Sequence, residues 1–136
     1  MPTDDRVLGF SNRWYLLAIF AARYVDLADL RLPVITPVYF LATKLEAFRG
    51  RGHNDFTGSH DLEDIVTVID GRGEILSEVA ASPPDVRAYI GSELRQLLGV
   101  QTFVDAVSGF LLPDAASQSR RPALLERLRV LAELRA

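Results

Sequence analysis

The chain has 136 residues and a formal net charge of −3, with 49% hydrophobic and 24% charged residues. This length fits one domain with a substantial core, and the composition is typical of a globular protein. The sequence contains no cysteine, which excludes disulfides and thiolate metal sites. Its two histidines have no carboxylates at zinc-binding spacing, and we therefore predict no zinc site in this chain.

Neither the N-terminus nor the apolar runs resemble a targeting or membrane segment. The opening residues, MPTDDRVLGF, lack the basic and apolar regions of a signal peptide. The longest apolar run, Tyr15 to Ala22, is shorter than the about 20 residues that cross a bilayer. We therefore predict a cytoplasmic protein with no membrane partner.

The first third of the chain predicts a short helix and a β-hairpin. Trp14 to Arg23 is apolar on nearly all sides, which predicts a short buried helix. Tyr24 to Thr36 alternates loosely around a tight turn at Ala28 and Asp29, and this pattern predicts two paired strands. Pro33 marks the second strand as an edge.

The rest of the chain predicts helices. Thr36 and Pro37 begin one that ends at Gly50, and Ser59 caps another that ends at Gly71. Further helices are expected over residues 74–81, 84–98, 101–112 and 123–134, with a loop over 113–122. The fold class is therefore α+β and mostly α, a single domain 1–136 in which an αβ lead-in (1–36) precedes a helical region (37–136).

Two charged positions on the helix that begins at Pro37 call for an explanation. Arg49 falls within its apolar face and Lys44 lies on the flank of that face. Arg49 must therefore extend to solvent or find a buried partner. Lys44 suits either a solvated lysine or a cation that neutralises a phosphate group.

Asp61 and Asp64 are neighbours at i, i+3 on the following helix. Two carboxylates on one face suit a divalent cation, or a general base that activates a hydroxyl nucleophile. Acidic residues near a helix N-terminus also complement the helix dipole, which explains Asp61 better than Asp64. Both interpretations remain open at this point.

Other polar residues are weaker candidates. The loop Arg49-Gly-Arg51-Gly-His53 could wrap an anion or an RNA phosphate, although such loops are often only solvated. His60 suits a proton-transfer role, but a histidine at a helix start is more often a structural, hydrogen-bonded group. Trp14 and Asn12 suit the stacking or recognition of nucleic-acid bases. For Trp14 a role in the hydrophobic core is favoured.

Charge is unevenly distributed along the chain. Residues 120–136 contain five arginines against two glutamates. An acidic protein is not a general nucleic-acid binder, but such a local basic patch can hold phosphates. The alternative is an ordinary solvated surface of mixed charge.

Two spaced motifs resemble a known family. LATKLEAFRGRG followed by SHDLEDIVTVIDGR resembles the C-terminal half of AbiEii-type nucleotidyltransferase toxins, which belong to type IV toxin–antitoxin systems and to the polymerase-β-like superfamily. The family's K-x-x-A motif reads Lys44 to Ala47 here, and its R/H-D-x-x-D motif reads His60 to Asp64. The resemblance covers about residues 1–72.

The resemblance assigns roles to these residues. It implies that Lys44 contacts nucleotide phosphates, that Asp61 is the catalytic-motif aspartate and that Asp64 supports it. Arg49, Arg51, His53 and His60 are the accompanying candidates for substrate or phosphate binding. The implied partners are a cognate antitoxin and a tRNA or other RNA acceptor.

The chain departs from the family at one motif. The family carries a Gly-Ser pair followed by D-x-D, which binds the triphosphate and two Mg²⁺ ions, whereas Gly58-Ser59 here is followed by Asp61 and Asp64. Without those carboxylates phosphoryl transfer lacks its electrostatic clamp. We therefore expect a chain that is catalytically incomplete as given and binds no cofactor itself. Mg²⁺ and a nucleoside triphosphate enter only if a segment upstream of Met1 completes the activity.

Whether the chain is an enzyme stays open at this stage. The alternative is a non-catalytic module that binds RNA or protein. Loss of an N-terminal sheet would expose apolar surface, and we expect such a module to form a homodimer.

Overall fold

A computed structural model describes residues 12–51 and 55–136, apart from the side chain of Arg51. In chain order the elements are α1 (Tyr15–Phe20), β1 (Arg23–Leu27), β2 (Leu30–Val34), α2 (Pro37–Arg51), α3 (His60–Gly71), α4 (Ile75–Ala80), α5 (Pro84–Leu98), α6 (Gln101–Ala106), a 3-10 helix (Val107–Phe110), α7 (Ala115–Gln118) and α8 (Arg121–Ala132). The prediction of a mostly helical α+β chain with a hairpin near its N-terminus is confirmed.

Helix α2 lies at the centre of the packing. It begins at Pro37, where the missing N–H costs no intrahelical hydrogen bond. Its predicted apolar face is buried, with Leu41 and Ala42 fully inaccessible to solvent. This helix packs against α1, α3, α4 and α5, and α5 packs in turn against α8. The core is therefore a helical bundle built around α2 and α5.

Helix α3 starts and packs as its sequence predicts. The Ser59 hydroxyl accepts a hydrogen bond from the Leu62 amide at 3.2 Å, which caps the helix. The stripe of Leu62, Ile65, Val66 and Ile69 is fully buried. The cap fixes the residue at which the helix begins. The buried stripe then fixes the rotation of the helix, and with it the direction in which Asp61 and Asp64 point.

Arginine side chains satisfy the carbonyls at the ends of several helices. Arg127 on α8 donates through Nη1 to the carbonyl oxygen of Ile69 at 2.8 Å, in the last turn of α3. Arg95 donates to Ala132 O at 2.6 Å, near the end of α8. Such carbonyls have no intrahelical donor, and a cation there also complements the helix dipole. These arginines tie helices to one another.

The predicted basic patch in residues 120–136 is likewise engaged within the chain. Arg120 pairs with Asp70 at 3.1 Å, and Arg121 donates to Val104 O at 3.0 Å. Arg129 pairs with Glu126, and Arg135 donates to Ala132 O at 3.1 Å. The C-terminal arginines thus contact carbonyls and carboxylates of their own chain.

Gly91 allows α5 and the end of α8 to approach closely. A Cβ atom at this position would collide with the carbonyl oxygen of Leu134. A glycine inside a helix lowers the stability of that helix. The close backbone contact explains why a glycine stands here, since a larger residue would not fit.

Helix α1 is shorter and much more exposed than the sequence suggested. Trp14 and Ala18 are buried, but Leu16 and Ile19 are about half exposed and Phe20 is 83% exposed. The prediction of a buried helix is therefore wrong for most of this segment. A helix that is apolar on all sides gains free energy when other parts of a protein pack against it. The described part of this chain packs against only one side of α1.

The hairpin forms at the predicted turn and is exposed on both faces. Val25 pairs with Leu32 and Leu27 with Leu30, and Ala28 adopts a positive φ of 56° in the turn. All ten strand residues are exposed. Since paired residues share a face, one face carries the apolar side chains Val25, Leu27, Leu30, Leu32 and Val34. We name these five residues the apolar hairpin face.

The C-terminal third differs from the prediction in two places. The helix expected over 101–112 ends at Ala106 and continues as a 3-10 turn to Phe110. The expected loop 113–122 contains the short helix α7, which Asp114 caps by accepting from the Ser117 amide at 2.8 Å. Among residues 12–51 and 55–136, no helix is long and apolar enough to cross a membrane.

Replacing Arg127 tests the role of arginine at helix ends. Arg127→Ala should lower the free energy of unfolding by about 1 to 2 kcal/mol, because the carbonyls that end α3 lose a charged donor. Urea denaturation measures the change. Arg129→Ala on the same helix removes only an exposed ion pair and should change stability by less than about 0.5 kcal/mol. Equal losses in the two variants would contradict this role.

Candidate functional site

The structure brings Lys44, Asp61 and Asp64 together. Lys44 on α2 reaches across to α3, where its Nζ lies 2.8 Å from Asp64 Oδ2 and 3.6 Å from Asp61 Oδ1. The contact follows from the packing of α2 against α3 through their buried apolar faces. Lys44 lies at the edge of the apolar face of α2, and Asp61 and Asp64 lie at the edge of the apolar face of α3, so the packing brings them together. We call these three residues the Lys44 cluster.

The Lys44 cluster runs from the core to solvent. Asp61 is 7% exposed, while the side chains of Lys44 and Asp64 are 27% and 41% exposed. A nearly buried carboxylate requires a charged or hydrogen-bonding partner, and Lys44 supplies one. Asp64, in contrast, is accessible enough to exchange its partner. An external anion can therefore replace Asp64 as a partner of the Lys44 ammonium. The ammonium remains beside Asp61 in that case and still compensates its charge.

An open apolar cavity of about 340 Å³ lies beside the cluster. Phe40, one turn before Lys44, and Val68, one turn after Asp64, contribute to its lining. The Lys44 ammonium is 5.6 Å from the centre of the Phe40 ring, within range of a cation–π contact. The cluster thus has an apolar surface next to its charges.

The other predicted phosphate-binding residues do not join this cluster among the described side chains. Arg49 points to α5, where its Nη1 contacts Glu93 Oε2 at 3.3 Å. This contact supplies the buried partner that the position of Arg49 required. His60 is exposed at the start of α3. His53 and the side chain of Arg51 lie outside the described residues.

A buried polar network around Glu93 and Tyr89 was not anticipated. The Tyr89 hydroxyl donates to Glu46 Oε1 at 2.5 Å, and Gln96 donates to Glu93 Oε2 at 3.1 Å. Burial raises the pKa of Tyr89, and the hydrogen bond to Glu46 raises it further. The available signal was Glu93 itself, an acidic residue next to Leu94 on the apolar face of α5.

Trp14 and Asn12 have structural roles. Trp14 is buried with its ring centre 5.0 Å from that of Tyr89, which confirms the favoured role in the core. Asn12 donates to Thr43 O at 2.8 Å and accepts from the Trp14 amide at 3.1 Å. These contacts anchor the chain before α1 to α2.

The residues of the cluster do not form a complete metal site. A magnesium ion is held mainly by carboxylate and other oxygen ligands. Within the part of the chain that the structure describes, no group of three or more His, Asp or Glu side chains could hold a metal ion. Asp61 and Asp64 are two carboxylates that already share the Lys44 ammonium.

The pH dependence of stability tests the environment of Glu93. Burial raises the pKa of Glu93 above its ordinary 4.5, Arg49 and Arg13 oppose this shift, and Glu46 adds to it. The folded protein therefore holds this proton more tightly than the unfolded chain does. The resulting stabilisation is complete below the ordinary pKa and is lost as the pH rises through the raised value.

Glu93→Gln removes this titration. The unfolding free energy of the variant, relative to that of the wild type, should therefore rise as the pH increases from the ordinary pKa of 4.5 through the raised value. Urea denaturation over a pH series measures it, with Glu126→Gln as the control variant for a carboxylate that folding does not bury. A constant or falling difference for Glu93→Gln would show that burial does not govern this carboxylate.

Comparisons of the chain with protein-family models, with curated proteins and with solved structures give no match. The likeness to AbiEii-type nucleotidyltransferases therefore rests on the two sequence motifs alone.

Proposed function

We propose that this protein is a nucleotidyltransferase-like domain of the cytoplasm, in which the Lys44 cluster forms one half of a nucleotidyl-transfer site. The observation that carries the proposal is the meeting of Lys44 with Asp61 and Asp64. These residues come from two separate sequence motifs and converge at a solvent-accessible edge. An ion pair that only compensates the nearly buried Asp61 would have the same geometry, and so function is tested through ligand binding.

The roles within the site follow from charge and exposure. Lys44 would bind the non-bridging oxygens of a nucleoside triphosphate, releasing Asp64, the more exposed of its two partners. Asp61, held in place by burial, would orient or deprotonate the acceptor hydroxyl. Asp64 would support Lys44 when no nucleotide is bound.

The described residues do not supply the metal-binding carboxylates that this chemistry requires. The Lys44 cluster has one positive and two negative side chains, and so it does not attract a triphosphate strongly by itself. Carboxylates for the Mg²⁺ ions would come from another polypeptide segment. An RNA acceptor and a cognate antitoxin would be the partners of the completed protein.

Nucleotide binding and transfer test the proposal together. MgATP should shift the amide resonances of Lys44, Asp61 and Asp64 in the chain, and Lys44→Ala should weaken this binding at least about tenfold. The chain alone should not incorporate nucleotide into bulk tRNA. The same chain extended by the polypeptide encoded in frame upstream of Met1 should incorporate it, and Asp61→Asn should reduce that rate about 100-fold or more.

Arg129→Ala is the matched control, because Arg129 is a cation in an exposed ion pair with Glu126 on α8 and does not line the cavity beside the cluster. It should leave MgATP binding and transfer unchanged. Unaltered binding in Lys44→Ala would refute the proposed role of Lys44. A closed upstream reading frame together with no MgATP binding would refute the nucleotidyltransferase proposal as a whole.

The apolar hairpin face favours a second candidate function, a non-catalytic module that binds a second copy of this chain. Leu27 and Leu30 are each more than 60% exposed, although large apolar side chains are normally covered. A two-stranded hairpin is marginally stable by itself in water. The other three residues of the apolar hairpin face, Val25, Leu32 and Val34, are each at least 40% exposed, so the face is a contiguous apolar patch of the kind that marks a protein interface. A face that is the same on both chains can pair with itself about a two-fold axis, which favours a second copy as its partner. The engagement of the C-terminal arginines favours a protein partner over RNA.

Light scattering after size exclusion tests this second function. The wild-type chain should be dimeric at about 100 µM, corresponding to a dissociation constant in the micromolar range. The double variant Leu27→Thr, Leu30→Thr should be monomeric, because it removes apolar area from the centre of the face. The double variant Asp26→Asn, Arg31→Gln changes the opposite face and should remain dimeric. A wild-type monomer at this concentration would exclude self-association through the hairpin.

A further inference from the structure

A second cavity, of about 400 Å³, lies between α2 and α5, away from the Lys44 cluster. Phe48 and Leu97 contribute apolar surface, and Phe56 packs against Phe48 with ring centres 5.7 Å apart. Glu93, Gln96 and Arg49 provide its polar groups. A cleft of this size that combines apolar walls with a few converging polar groups is a common form of small-molecule site.

The carboxylate of Glu93 determines what the cleft can bind. Glu93 is 8% exposed, and both Arg49 and Gln96 donate to the same oxygen, Oε2. A buried carboxylate favours donors that carry positive charge. Lys44 and its aspartates belong to the other side of α2, and so the two sites are independent.

The Arg49 guanidinium already occupies the position of such a donor, and it is held weakly. With the described side chains it makes one contact, of 3.3 Å to Glu93, where a bidentate pair would make two shorter ones. Its side chain is 61% exposed, so it can move into solvent at little cost. A ligand with a similar group and an apolar body would gain the contact with Glu93 and also bury its body against the phenylalanines.

We propose that the α2–α5 cleft is a binding site for a small aromatic cation. Its amidine, guanidine or amine group donates to the Glu93 carboxylate in place of Arg49, and its flat apolar body packs against Phe48, Phe56 and Leu97. Gln96 holds the carboxylate in position. This site does not depend on the proposed nucleotidyl transfer.

Benzamidine is the test probe, with benzoate as its anionic counterpart of the same shape. Titration of the full chain, followed by calorimetry and amide chemical shifts, should give a dissociation constant of about 1 mM or below for benzamidine, as expected for a ligand of this size. Benzoate should bind at least about tenfold more weakly. The shifts should map to Phe48, Phe56 and Leu97.

Two variants at the cleft make opposite predictions. Glu93→Gln should weaken benzamidine binding about tenfold, because the carboxylate is lost. Arg49→Gln should strengthen it severalfold, because the competing cation is removed. Glu78→Gln changes a carboxylate on α4 and should leave the affinity unchanged. Far-UV circular dichroism of each variant establishes that it is folded.

The proposal is overturned if benzoate binds as well as benzamidine, or if the shifts map away from the cleft. It is also overturned if Arg49→Gln weakens benzamidine binding as much as Glu93→Gln does. Because Arg49 is mostly exposed, its variant decides the question even if Glu93→Gln fails to fold.

Discussion

The packing of α2 between α3 and α5 is the constraint on which the rest of this structure depends. The buried face of α2, centred on Leu41, Ala42 and Leu45, meets the apolar stripes of both neighbours. Burial of this area is the main favourable contribution to folding. Because the helix is held on two sides, its polar flanks face α3 on one side and α5 on the other.

Both candidate sites arise from these two flanks. Lys44 meets the aspartates of α3, whereas Arg49 meets Glu93 of α5. In each case a cation on α2 contacts a carboxylate that the bundle has largely buried, and in each case one member of the cluster remains exposed. Such partly buried charges contribute little net stability, because desolvation offsets their attraction. Their exposed members are therefore available to exchange partners with a ligand.

The α1 and hairpin region has the opposite character. Its apolar residues are those of a covered surface, and yet the described chain covers only Trp14 and Ala18 fully. The nucleotidyltransferase proposal and the dimer proposal explain this exposure differently, the first by a further polypeptide segment and the second by another copy. Both require that something pack against α1 or against the apolar hairpin face.

Local sequence signals by themselves determined most of the elements. The proline at the start of α2, the serine cap of α3 and the alternation around Ala28 each act within a few residues, and the structure has all three elements in place. Helical periodicity also identified the buried faces of α2 and α3, because that spacing is a property of the helix alone. The expectation that Arg49 would extend to solvent or find a buried partner followed from its place on such a face.

Only the tertiary structure decided which residues meet. The pairing of Lys44 with Asp61 and Asp64, the choice of Glu93 as the partner of Arg49, and the capping of α3 by Arg127 all join residues that are distant in sequence. No local pattern encodes those distances, because they depend on how whole helices pack. The exposure of α1 was mispredicted for the same reason. Apolar composition indicates how much free energy a segment would gain on burial, but only the packing of the whole chain determines whether other residues bury it.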